Sequence, residues 1–253
     1  MVGISSLVGL KAAAFLLAFV GLRHFSLTFL SIPFLHASFV AFLVSVASHP
    51  SLNLPLLFAK SSDGRFPLWS LIIFGPYLVF IRIFVYLRRL KRREPLYNEI
   101  VEGVYVGGWP SPFDSVPPGE LAILDCTCEL PRSSLFSKNA YMCIPTWDTR
   151  APRPSEIELA VRWACRKRAQ NKPIYIHCAF GHGRSVCVLC ALLVALGVAD
   201  NCKEAEKIVR KRRPSICLNS LHHGSLEEWS RCRISSQKGG TGVSYMMTKE
   251  TKD

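Results

Sequence analysis

The residues best suited to chemistry in this chain are consecutive: "HCAFGHGRS", His177 to Ser185. The apolar run "PIYI" precedes them and "VCVLCALLVALGV" follows, so the stretch reads as a strand turning into a helix. Gly181 and Gly183 let the backbone curl so that successive N–H groups point inward as an anion-binding nest. The helix opening near Arg184 adds its positive end. Arg184 lies six positions after Cys178, close enough for its guanidinium to fold back over the same hollow. That group grips two oxygens of a phosphate as a fork, which lysine cannot do. The pattern predicts a cup for a tetrahedral oxyanion with a sulfur at its base.

Such surroundings decide what the cysteine is. A free thiol ionises near pH 8.5, whereas helix N-termini and adjacent cations lower the value to about 3.5–7.5. Cys178 is therefore expected to be largely thiolate, poised for in-line attack on phosphorus. Ser185 can donate a hydrogen bond to the sulfur and help it leave. His177 is expected to hold the loop through its ring N–H rather than to react.

The elements that must position this loop alternate. "GVYVGG", "LAILDCT", "AYMCI" and "PIYIHC" read as strands, each a short apolar run bounded by turn residues. "PSEIELAVRWACRKRAQ" reads as a helix with a capping-box signature at Ser155 and Glu158. "VCVLCALLVALGV" reads as a buried helix, and "KEAEKIVRKRR" as an amphipathic one stopped by Pro214. The alternation implies an α/β fold with a central, mainly parallel sheet flanked by helices.

The first 93 residues belong to a different solvent. Asp63 is their only acidic residue, and His24 to Ala59 holds no charged side chain apart from histidine. Phe25–Ala47 and Phe66–Leu87 are each long enough to cross a bilayer, and Ile4–Leu22, interrupted by Lys11, is a third candidate. Two or three membrane helices are expected, with Arg82 snorkelling from near the end of the last. "RRLKRR", Arg88 to Arg93, follows that span; such clusters stay on the cytoplasmic side and attract anionic lipid. The protein is thus expected to be a multi-pass membrane protein with its soluble domain facing the cytosol. Its cysteines, all at or after Cys126 and without framework spacing, fit a reducing compartment. The expected division is a membrane region over 1–93, a soluble domain over 94–229 and a disordered polar tail over 230–253.

His-Cys-x5-Arg-Ser between a strand and a helix resembles the signature of the cysteine-based protein tyrosine phosphatases. "VYVGG" and "IVRKRRPSICLN" are similar to the dual-specificity branch, over about Tyr97 to Trp229 and none of the membrane part. The resemblance implies a phosphocysteine intermediate and no metal or other cofactor. It assigns Cys178 as nucleophile and Arg184 as phosphate binder. The binding loop it implies comprises His177, Ala179, Phe180, Gly181, His182 and Gly183. It also implies a general acid about 30 residues upstream, and "IPTWDTRAP" places Asp148 there; Asp125 is the competitor. Relatives that dephosphorylate inositol lipids carry a basic pair where this chain has Ala179 and His182. Phe180, bulkier than usual, either packs behind the loop or narrows the cup.

The other features read plainly. Cys187 and Cys190 have redox-motif spacing on a buried apolar helix and read as core thiols. Cys126 and Cys128 lack partners for zinc, and His222 and His223 read as surface residues. The basic "IVRKRR" has no interleaved aromatics, which argues for a solvated surface and against nucleic acid. The function expected is hydrolysis of phosphomonoesters on a phosphorylated protein or a phospholipid. The alternatives are a non-catalytic phosphate-binding module at the membrane and a sulfurtransferase of the rhodanese type. The glycine positions, the Arg-Ser end and Asp148 argue against the last.

Overall fold

A computed structural model describes residues 4–247, and the side chains of 5–235. Three helices come first: α1 (Ile4–His24), α2 (Thr28–Ala47) and α3 (Leu68–Arg92). All three are long and apolar enough to cross a membrane. The first two form an antiparallel hairpin, pinned where Ser38 Oγ donates to Ala12 O (2.8 Å) and Ser45 Oγ to Ser5 O (2.7 Å).

The remainder is an α/β domain. Strands β1 (Tyr97–Val101), β2 (Val104–Gly107), β3 (Ala122–Asp125), β4 (Ala140–Cys143) and β5 (Ile174–His177) form one sheet in the order β1-β2-β5-β3-β4. Only β1–β2 is antiparallel. The mixed polarity of "YNEIV" hides β1 from a search for apolar runs, and its place at the sheet edge explains that composition. Every residue of the central β5 is buried. Gly107 and Asp125 both pair with His177, and Cys143 pairs with Asp125. The C-terminal ends of the parallel strands therefore lie level, and the loops carrying function leave from one edge, where open α/β sheets bind ligands.

Helices α4 (Pro154–Ala169), α5 (Arg184–Ala195), α6 (Cys202–Arg212) and α7 (Ser220–Met247) complete the domain. From Arg184 to Leu193 every residue of α5 is buried, as its all-round apolar sequence requires. The start of α4 differs from expectation: Pro154 occupies the first turn, and Arg153 N–H donates to Glu156 (2.8 Å). Glu158 instead accepts from Trp229 Nε1 (2.8 Å) and pairs with Arg162. The same carboxylate meets Arg233 at 3.4 Å, which ties α7 to α4 beyond residue 230. The segment expected to be a disordered tail is accordingly helical through Met247, while residues 248–253 lie outside the described residues.

The segment of three apolar helices and the α/β domain are packed together across residue 93. Between α2 and α3, Lys60 is fully buried, pairing with Asp125 and donating to Thr127 O at 2.8 Å. Cys143 N–H donates to Ser62 O and Arg132 N–H to Gly64 O, both at 2.9 Å. Phe74, Leu78 and Val85 form a buried face of α3, a spacing that returns to the same side of a helix. Phe74 and Leu78 share a cluster with Cys128 and Trp147, and Val85 shares one with Trp109, Leu130 and Ala179. At the end of α3, Arg89 donates to Trp109 O (2.9 Å) and pairs with Asp114.

Candidate active site

The loop after β5 is held from outside. Trp109 N–H donates to Ala179 O, and Arg213 gives Nη2 to Phe180 O (2.9 Å) and Nε to Gly181 O (3.0 Å). Cys217 N–H bonds His182 O, and Cys187 N–H bonds Gly183 O. With the carbonyls of 179–183 all turned outward, planar peptides must direct the intervening N–H groups inward. Gly181 has φ +75°, and a Cβ there would stand 2.5 Å from the Gly107 carbonyl carbon. No other residue fits this turn.

At the bottom of the nest lies Cys178 Sγ, 3.2 Å from Gly181 N and 3.3 Å from Ser185 Oγ. Burial alone pushes this thiol up. The Arg184 guanidinium, the Ser185 hydroxyl and the amides of Ser185 and Phe180 outweigh it and hold the thiol below its usual range. Arg184 is itself buried. Its Nη1 donates to Thr146 O (2.8 Å), and both terminal nitrogens bond Glu129, at 3.0 and 2.9 Å. Among the described residues the Nε–H has no partner, and it is the donor left for an oxyanion. Asp148 Oδ1 approaches Arg184 Nη2 at 3.3 Å from a half-exposed side chain, on the loop after β4. The loop carrying Asp148 is fixed through Asn219 Nδ2 to Thr149 O (2.8 Å), Arg150 to Ser48 O (3.1 Å) and Trp147 against Phe58 (5.4 Å between rings). Cys178, Arg184, Ser185 and Asp148 thus converge on one hollow. Asp125 does not: its carboxylate is fully buried among Lys60, Thr127 and Tyr141.

Several loop residues serve differently from expectation. His177 is packed against Phe136 and Tyr175 with its Nδ1 3.8 Å from Asp125 Oδ1, and burial lowers its pKa, so it supports the loop as a neutral ring. Phe180 faces α3, under the guanidinium groups of Arg88 and Arg92 at 5.5 and 5.4 Å. It packs with Ile81 and Val85 on the apolar flank of α3. His182 is engaged by Arg92 (2.9 Å) and Glu94 (2.7 Å), and its burial depresses its pKa. Arg88, Arg89 and Arg92 of the basic run therefore contact the domain.

Sequence reasoning missed Glu129, Arg213, Lys60 and His222. Glu129 sits in "DCTCEL", where the cysteines drew attention, and Arg213 ends a basic run that reads as surface. His222 is buried beside Gly183, and burial brings its pKa down to about 4. Its position one helical turn into α7 carries no sequence signal. Cys187 and Cys190 are buried in α5 with their pKa values pushed up, as core thiols should be.

Residues 121–232 match the family described as "Dual specificity phosphatase, catalytic domain". The chain carries a cysteine-based phosphatase domain of the dual-specificity branch. This phosphatase domain is 34% identical over 105 residues to phosphatidylglycerophosphate phosphatase PTPMT2 of Arabidopsis thaliana. That match takes in 39% of this chain and 44% of the relative, so it spans less than half of the curated protein. Among solved structures, PTPMT1 in complex with PI(5)P is 19% identical, covers 56% of this chain and 99% of its own, and has a TM-score of 0.46. Tk-PTP in its active form is 24% identical, covers 54% and 97%, and has a TM-score of 0.45.

Proposed function

We propose that the protein is a membrane-associated phosphatase that removes the phosphomonoester of a phospholipid through a phosphocysteine. The observation that carries this reading is the contact between the catalytic loops and the apolar helices. Trp147, next to Asp148, packs on Phe58 and lies in one cluster with α2 and α3, while Phe180 of the cup lies against Ile81 and Val85 of α3. The cup is built beside the surface that meets lipid, and the relative's name as a phosphatidylglycerophosphate phosphatase points the same way.

In the first transfer, Cys178 thiolate attacks phosphorus in line while Arg184 and the inward amides of 179–184 hold the equatorial oxygens. The bond from phosphorus to the ester oxygen breaks, and Asp148 gives that oxygen its proton. In the second, a water loses its proton to Asp148 and attacks phosphorus. The P–S bond breaks, Ser185 steadies the departing thiolate, and inorganic phosphate leaves. Glu129 and Arg213 are positioning residues, one for the Arg184 fork and one for the loop carbonyls.

We infer the arrangement in the membrane from the chain's attachments. Lys60, Ser62 and Gly64 bind the phosphatase domain just before α3, and Arg89 binds it at the helix's end. A helix that crosses a hydrocarbon core about 30 Å thick must deliver its ends to opposite sides. The α1–α2 hairpin therefore enters the bilayer and returns, while α3 runs along the surface with its outward residues in lipid. The phosphatase domain then lies on the same side as the N-terminus, the cytosolic side that retains Arg- and Lys-rich segments.

The test uses the full chain in nanodiscs, with Cys178→Ser alongside, and measures phosphate release from phosphatidylglycerophosphate, inositol lipid monophosphates and a phosphotyrosine peptide. Release from a lipid, abolished in Cys178→Ser, is expected. Faster release from the peptide would move the assignment to protein substrates. No release from any of them by a folded, reduced chain would leave a phosphate-binding module.

A further inference from the structure

A second basic hollow lies apart from the catalytic loop. Between α3 and the segment 131–137 is an open cavity of about 450 Å³ whose walls include Arg65, Arg82, Arg132, Ser133, Phe66 and Leu71. Its size suits a small ligand or headgroup. Among the described residues, none of 177–185 lines it and no acidic residue does.

The charge within it is poorly balanced. Arg82 is the only charged residue between Leu68 and Leu87, and its buried Nε has no hydrogen-bond partner among the described residues. Arg132 stacks on Tyr141 (4.6 Å) and donates to the carbonyl oxygens of Phe136, Ser137 and Asn139, all neutral acceptors. Arg65 meets Asp63 at 3.2 Å in an exposed pair, which contributes little against solvent. An arginine on an apolar helix is costly to keep without an anion, and such residues face protein or water and find a partner.

We propose that this cavity binds the phosphate of an anionic membrane phospholipid, with Arg82 as its principal ligand and Arg65 closing from the rim. A guanidinium grips a phosphate through charge-assisted, bidentate bonds. A lipid is the fitting source of that phosphate because Phe66 and Leu71 supply an apolar wall. The outward face of α3 beside them exposes Leu68, Ile72 and Ile83, which suits the acyl chains. The site is separate from the catalytic cup and does not depend on what the cup hydrolyses.

The experiment uses the full chain in an uncharged detergent, with orthovanadate present throughout to occupy the cup. Bound phosphatidylglycerol is counted by native mass spectrometry against phosphatidylcholine, for wild type, Arg82→Gln and Arg65→Gln. Wild type should retain phosphatidylglycerol over phosphatidylcholine. Arg82→Gln should bind it about tenfold more weakly, the loss expected for a hydrogen bond to a charged group, and Arg65→Gln should weaken it by less. Equal retention of phosphatidylglycerol by wild type and Arg82→Gln would overturn the site, as would equal retention of the two lipids by wild type. If Arg82→Gln does not fold, unchanged retention by Arg65→Gln has the same meaning. A separate arm replaces lipid with inorganic phosphate alone. Stabilisation by phosphate that matches that by phosphatidylglycerol, and is lost in Arg82→Gln, would overturn the lipid in favour of a free anion.

Discussion

Replacing Lys60 by methionine should cost the phosphatase domain a large share of its stability, although Lys60 lies outside the segment that matches the family. The ammonium and the Asp125 carboxylate are both fully buried. Burial alone pushes Lys60 down and Asp125 up; each partner's charge outweighs that and drives the two pKa values apart. Lys60→Met leaves Asp125 charged and short of its strongest partner, with Thr127 and Tyr141 as remaining donors. Breaking a buried pair from one side costs about 3–5 kcal/mol. For a domain of this size that is about 6–20 °C in the unfolding midpoint. The assay is thermal unfolding of the full chain in detergent, followed by tryptophan fluorescence. Adding Asp125→Asn to Lys60→Met removes the stranded charge and should recover a good part of the loss. A midpoint for Lys60→Met within about 2 °C of wild type would refute the claim that this loop is part of the domain's core. A double variant no better than the single one would refute the electrostatic account of it. The pair also sets a pH window. Asp125 is lowered from its usual 3.8, so its contribution holds above that value and is lost as pH falls through the folded value. Lys60 is raised from 10.5, so its contribution holds below 10.5 and is lost as pH rises through the folded value. Stability from this pair should be level between the two.

Three further outcomes are expected. Iodoacetate should alkylate Cys178 at a pH below that for an ordinary thiol, and Ser185→Ala should move the profile upward, since the hydroxyl favours the thiolate. Asp148→Asn should lower kcat by about 10²–10⁴ for substrates with poor leaving groups. The loss should be smaller for aryl phosphates, whose leaving oxygen needs no proton; a uniform loss would point to misfolding of the loop instead. Gly181→Ala should abolish both phosphate release and vanadate binding, because the added methyl meets Gly107 at 2.5 Å in a backbone conformation that alanine resists. Retained vanadate affinity would show that the loop can shift.

The fold class, the strand-to-helix placement of Cys178 and the buried character of α5 were legible in the sequence, because each depends on local periodicity and turn chemistry. The loop "HCAFGHGRS" specifies its own nest, since glycines, cysteine and arginine at that spacing interact within a few residues. Asp148 was legible as a candidate through the family resemblance, and its rival Asp125 fell only when the sheet buried it against Lys60. What the sequence withheld are the contacts between residues far apart in the chain. Glu129 on the Arg184 fork, Arg213 on the loop carbonyls and Lys60 in the core are charged residues in segments that read as surface or linker. Their burial has no local signature, because the groups that bond Arg184, Arg213 and Lys60 here lie some 30 to 65 residues away. The role of α3 is the clearest case. Its length and apolarity fit a membrane span, and only the packing of Phe74, Leu78 and Val85 against the phosphatase domain turns that apolar helix into a wall of the enzyme. Hydrophobic burial is non-directional, so composition alone cannot distinguish a side chain facing lipid from one facing protein.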